Sequence, residues 1–327
     1  MILRLAAIVF AFAISGCATE QSHTIDTPKP IQASQNTFKG AKSAVSVGKF
    51  DNRSSFMRGI FSDGIDRLGG QAKIILITHL QQKKIITKWF FIRYRDPEEH
   101  LRIRFLIENP THLSVAIQAF YSVFKELIQQ NVVWTLQADT YKREIERYGK
   151  TTMITSESLF YRDSEMILQY IQIKPLFKQQ ELPLLFSFYA IDSFLNSFQL
   201  SNQEKLSLMD RLQTTFKQEF ESDKEQKKEL AKNYQVLFPQ MLKILSSESK
   251  NHFGAIRKIV DAKTKKSNKI ALEIKAKIEI PLDQFLSAHI HMMLNRQYNS
   301  KQRTYELLIY DHLFRYYKNQ NFVISSL

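Results

Sequence analysis

Residues 89–105 read WFFIRYRDPEEHLRIRF, and the rest of the chain is organised around them. The first half, from Trp89 to Arg95, is rich in aromatic and β-branched residues and predicts a strand. Asp96-Pro97 predicts the turn, because proline fixes φ and has no N–H to give a ladder. The second half alternates strictly from His100 to Phe105. Period-2 geometry puts His100, Arg102 and Arg104 on one face and Leu101, Ile103 and Phe105 on the other. Two guanidiniums two residues apart on one strand face lie about 7 Å apart. That spacing suits the clamping of a carboxylate or phosphate.

Three further stretches follow: DTYKREIERYG at 139–149, SESLFYRDS at 156–164 and HMMLNR at 291–296. Together, in this order and approximate spacing, the four resemble the C-terminal domain of lantibiotic dehydratases, also called the thiopeptide-type bacteriocin biosynthesis domain. The resemblance covers about residues 85–320. In that family a full-length enzyme esterifies Ser or Thr of a precursor peptide with glutamate from glutamyl-tRNA, and this domain eliminates the glutamate. The resemblance implies a lyase with Arg102, Arg104, Arg147 and His291 as catalytic residues and no cofactor. The motif around Arg147 ends Tyr148-Gly149-Lys150, where the family usually has a second glycine. Stand-alone relatives form the pyridine ring of thiopeptides by cycloaddition, which is the alternative enzyme reading.

A third short strand is predicted at 132–136 and a helix over 156–173 with Ser156 as its cap. Taken on its own, the 141–148 segment is an ordinary charged helix, with Arg143 and Arg147 one turn apart. His289 and His291 lie two apart on a predicted helix and point about 200° from each other, a poor metal pair; no metal site is expected. No P-loop, GxGxxG, HExxH, EF-hand or GxSxG motif appears.

The chain has 327 residues and a net charge of +14. The charge favours an anionic partner such as RNA or an acidic peptide, and 44% hydrophobic residues argue for a globular protein. A single cysteine, Cys17, rules out an intramolecular disulfide and a Cys-based zinc site. It follows a basic start, an apolar run from Leu5 to Ile14, and the small residues Ser15 and Gly16. This is the pattern of a lipoprotein signal peptide and lipobox, with Cys17 as the lipidation site.

The expected organisation is a signal peptide at 1–17, a flexible tether at 18–43, a fragment at 44–82 and the dehydratase-type domain at 85–320. The fragment, beginning AVSVGKFDNRSS, is similar to the start of the curli production assembly/transport lipoprotein (CsgG) family. A short strand is predicted at 44–50 and an amphipathic helix from about Gln71. The dehydratase-type domain lacks the lead-in strand and helix that normally precede WFFIRY. The changeover between Leu80 and Lys88 is read as an accidental fusion of two truncated parts. The fold class is α+β: a small antiparallel sheet beside a large, mainly helical body, with a short truncated N-terminal α/β fragment.

The implied partners are a ribosomal precursor peptide, a separate glutamylating dehydratase that uses glutamyl-tRNA, the membrane through lipidated Cys17, and a second copy in a homodimer. The lipoprotein signal addresses the chain to the outer membrane or periplasm, whereas the enzyme domain belongs in the cytoplasm. A curli-type outer-membrane lipoprotein is the non-enzymatic alternative.

Overall fold

The structure is a computed structural model. It describes residues 44–49 (backbone), 77–94, 100–130, 133, 135–177, 181–246 and 253–325. The signal peptide, Cys17, the tether and the Asp96-Pro97 turn lie outside the described residues. Lys42–Leu327 form one compact unit.

Four strands form one antiparallel sheet: β1 (Ala44–Lys49), β2 (Lys88–Tyr94), β3 (His100–Leu106) and β4 (Thr135–Thr140), in the order β2-β3-β1-β4. Residues 77–82 are helical and lie in the β1–β2 connection. Helix α1 (Leu113–Gln129) joins β3 to β4. This is the split βαββαβ arrangement, in which each crossover lands one strand away. The α+β expectation therefore holds, with one change of detail. The strand of the 44–82 fragment is not set apart from the sheet but runs inside it, pairing with β3 on one side and β4 on the other. A strand and a helical segment thus precede β2 within this sheet and its connections.

β3 alternates as its sequence requires, with Leu101, Ile103 and Phe105 buried and His100, Arg102 and Arg104 half-buried between them. Phe105 packs on Phe120 of α1 at 4.6 Å between ring centroids. β2 instead buries Trp89, Phe90, Phe91 and Ile92 in succession. A strand reads that way when both its faces are covered. The strand predicted at 132–136 runs later, over Thr135–Thr140.

The helical body comprises α2 (Ile145–Tyr148), α3 (Met153–Ile173), α4 (Leu182–Ser197), α5 (Asn202–Glu219), α6 (Lys224–Leu245), α7 (Gly254–Lys277), α8 (Leu282–Gln297) and α9 (Gln302–Ser325). α4 is apolar nearly all round, as a fully enclosed helix must be, and buries Leu185, Phe186, Phe188, Ile191, Phe194 and Leu195. α5 starts with a capping box in which Ser201 and Glu204 satisfy each other's backbone N–H groups. The cap expected at Ser156 is not formed: α3 begins at Met153, and Ser156 is fully buried one turn inside it. Among the described residues no helix is long and apolar enough to cross a membrane.

Candidate functional site

The face of β3 that carries the arginines also carries the rings of β2. Register places Phe90 opposite Arg104, Ile92 opposite Arg102 and Tyr94 opposite His100. The Arg102 guanidinium lies over the Tyr94 ring at 3.9 Å, and its Nε donates to His100 Nε2 at 3.1 Å. Arg104 lies over Tyr141 at 4.8 Å and Phe90 at 5.7 Å. Its Nε and Nη1 are buried and meet no hydrogen-bond acceptor among the described residues. A ring face stabilises a cation without neutralising it. An unmet buried N–H costs free energy until an acceptor arrives. Arg104 thus keeps two buried donors that an acceptor could meet.

Next to it runs the 141–149 segment. Only Ile145–Tyr148 is helical, so Arg143 and Arg147 do not share a helix face. Arg143 makes a bidentate pair with Glu157 of α3, at 2.7 and 2.9 Å. Arg147 pairs with Glu144 at 3.1 Å. Tyr148 is buried and sets its ring edge-on to Phe160 (4.8 Å) and His289 (5.0 Å), which anchors α2 in the core. Gly149 ends this turn with φ +77°, and a Cβ there would meet Thr152 Oγ1 at 2.6 Å. Lys150, standing at the family's second-glycine position, does not take a positive φ. The departure from the motif therefore costs no backbone strain.

Burial raises the Tyr141 hydroxyl well above its ordinary value, as does Glu157, while Arg104 pulls it the other way. The Tyr148 hydroxyl is raised by burial and by Glu144, against Arg147 and Arg296. Both phenols are held protonated, as donors. The charges that act on Tyr141 thus include Arg104 and Glu144, and Glu144 in turn pairs with Arg147.

His291 enters from α8. Its Nδ1 lies 2.6 Å from Glu306 Oε1 on α9, and Glu306 is wholly buried. The second oxygen of Glu306 accepts from Arg303 Nη1 at 2.9 Å. A carboxylate on one imidazole nitrogen orients the ring and favours the tautomer with the proton on that side. His289, on the opposite side of α8, is fully buried among Tyr148, Phe160, Phe194 and Phe285. Burial, then Arg296 and Lys263, hold it neutral well below its ordinary value.

Of the expected site residues, Arg104 lies against Tyr141 with Arg102 two residues along the same strand face, Arg147 pairs with Glu144 in the segment that carries Tyr141, and His291 pairs with Glu306. Sequence reasoning passed over Tyr141, although it stands inside the quoted 139–149 stretch. Glu306 carried no local signal, because its partner is on another helix. Among the described residues no three His, Cys, Asp or Glu side chains gather as metal ligands.

Comparison with known proteins bears on this geometry. The family model described as lantibiotic biosynthesis dehydratase C-term matches residues 70–317, and so runs through the changeover at 80–88. The subtilin biosynthesis protein SpaB of Bacillus subtilis is 32% identical over 149 residues, which are 42% of this chain and 13% of SpaB. The nisin biosynthesis protein NisB of Lactococcus lactis subsp. lactis is 28% identical over 130 residues, 38% of this chain and 12% of NisB. The chain matches only a small part of either relative.

A Neisseria meningitidis serogroup B protein, named as a candidate lipoprotein, is 59% identical over 73 residues, 22% of this chain and 32% of its own. The fold is shared with the tRNA-dependent lantibiotic dehydratase MibB of Microbispora sp. 107891 (TM-score 0.62, 14% identity, 88% of this chain, 29% of MibB). It is also shared with TbtD, the pyridine synthase of thiomuracin biosynthesis (TM-score 0.59, 11% identity, 85% of this chain, all of TbtD). With its matched residues spanning three of the four strands (β2, β3 and β4), α1 and nearly all of the helical body, the chain belongs to the lantibiotic dehydratase C-terminal family.

Proposed function

We propose that the chain eliminates glutamate from glutamylated Ser or Thr of a ribosomal precursor peptide, leaving dehydroalanine or dehydrobutyrine. The observation that carries this reading is Arg104, whose Nε and Nη1 are buried without an acceptor among the described residues, beside a second arginine on the same strand face. In the reaction a base removes the Cα proton, that electron pair becomes the Cα–Cβ double bond, and the Cβ–O ester bond breaks. Glutamate then departs with a new carboxylate. Charge develops on the enolate-like carbonyl and on the departing group, where guanidiniums act most strongly in a site that excludes water. Arg102, Arg104 and Arg147 take these anionic positions. His291, oriented by Glu306, moves the proton. The glutamyl ester comes from a separate glutamylating dehydratase that uses glutamyl-tRNA.

The test is to incubate the purified chain with a chemically glutamylated peptide and follow release of glutamic acid by mass spectrometry. Release that disappears in Arg104→Ala supports the reading. An intact ester after incubation with well-folded protein sinks it.

A second reading concerns location. The lipobox at Cys17 and the candidate lipoprotein of Neisseria support export of the N-terminal region as a curli-type lipoprotein, in which the domain would be parted from glutamyl-tRNA. Palmitate labelling that depends on Cys17 supports export; labelling that survives Cys17→Ser rejects it.

A further inference from the structure

β2 is an edge strand, and its outer edge is closed by side chains. The Phe91 N–H donates to Ser164 Oγ of α3 at 3.3 Å, and Arg296 Nε donates to the Phe91 carbonyl at 2.9 Å. The carboxamide of Asn295 takes both backbone groups of Arg93. Its Oδ1 accepts from the Arg93 N–H at 2.9 Å, and its Nδ2 donates to the Arg93 carbonyl at 2.8 Å. A primary amide presents the same donor and acceptor pair as a peptide unit. Asn295 therefore stands where a neighbouring strand would, and ties α8 to the sheet.

Two features make this tie more than the closing of an edge. Asn295 follows His291 by one helical turn, so both lie on the same side of α8. Asn295 Nδ2 also donates to Gln302 Oε1 at 3.1 Å, at the start of the helix that supplies Glu306. On the other side of the tie, β2 is paired with the arginine strand, Ile92 opposite Arg102 and Phe90 opposite Arg104. Two hydrogen bonds in one amide plane fix both the height and the roll of α8 against β2.

We infer that Asn295 is a positioning residue, whose amide pairing with Arg93 sets His291 against Arg102 and Arg104. This deepens the elimination reading and rests on it. A misplacement of about 1 Å can cost roughly 100-fold in rate, so the tie matters more to chemistry than to folding.

Ser164 supplies the control, since its hydroxyl holds the same strand edge from α3. The full chain is compared as wild type, Asn295→Ala and Ser164→Ala. Three quantities are read: kcat and KM for glutamate release, the urea midpoint, and the ring nitrogen NMR signals of His291. Asn295→Ala should lower kcat about 100-fold with KM within about twofold and shift the His291 signals. Ser164→Ala should destabilise comparably, stay within about threefold in kcat and leave those signals in place. Equal losses of kcat in the two variants overturn the inference, as do unmoved His291 signals in Asn295→Ala. If wild type releases no glutamate, the elimination reading fails by itself, and the His291 signals still decide the positioning. Should Asn295→Ala not fold, Asn295→Asp, which keeps the acceptor and loses the donor, is read in its place.

Discussion

The cations of β3 and those buried between α3, α7 and α8 are handled in opposite ways. Arg102 and Arg104 lie on the rings of Tyr94, Tyr141 and Phe90, and Arg104 leaves two buried N–H groups unmet. Lys263 is more deeply enclosed and pairs with Asp163 at 3.1 Å, with both side chains nearly free of solvent contact. The difference teaches what each set is for. An enclosed charge with its own counter-ion belongs to folding, because removing one partner strands the other. A charge held on ring faces is partly stabilised and still electrostatically available. The first is spent within the protein; the second, on the elimination reading proposed above, is kept for an anion that comes from outside.

The sharpest way to break this contrast is at the enclosed pair. Lys263→Met leaves Asp163 buried without its ion-pair partner, with Arg296 as a remaining charge neighbour, and should cost about 3–5 kcal/mol in urea unfolding. Arg104→Ala should do the reverse, lowering kcat for glutamate release about 10²–10³-fold with little change in the urea midpoint. Arg143, already neutralised by Glu157 on an exposed surface, is the matching control. Arg143→Ala should stay within about threefold in kcat, as its pair contributes about 1 kcal/mol or less.

Gly149→Ala probes the turn behind Arg147. With φ at +77° and Thr152 Oγ1 in the way, it should cost about 1–3 kcal/mol by thermal unfolding. The smallest effect expected is a slope. The unfolded chain protonates His289 near its ordinary value of 6.5, whereas the folded chain resists protonation until well below it. The unfolded state therefore binds more protons as pH falls through 6.5, and stability declines there. His289→Phe should flatten the urea midpoint against pH below 6.5.

Much of this was legible in the chain. The alternation of β3 fixed its two faces because one face had to be buried, and HMMLNR pointed to the helix that docks on β2. What stayed hidden was non-local. Nothing near Glu306 says that it meets His291, and nothing near Asn295 says that its amide completes a strand edge. The helix expected at 141–148 is a single turn, Ile145–Tyr148, and Arg143 lies outside it, paired with Glu157 of another helix. Ser156, read as a cap by residue type, is instead enclosed one turn inside α3. The place of β1 was missed for a different reason: its sequence resembled another family, and resemblance does not say which strands a segment pairs with.

That position of β1 has a consequence for how the molecule must assemble. The two strands it separates, β3 and β4, have no ladder between them until Ala44–Lys49 arrives from far away in sequence. Closing such distant contacts is slow, since loop entropy is lost before any pairing repays it. Until then the arginine strand presents a bare edge. Two nascent chains could each satisfy it with the other's segment, exchanging strands as domain-swapped dimers do. The centre of the sheet is thus the last part of it to be finished.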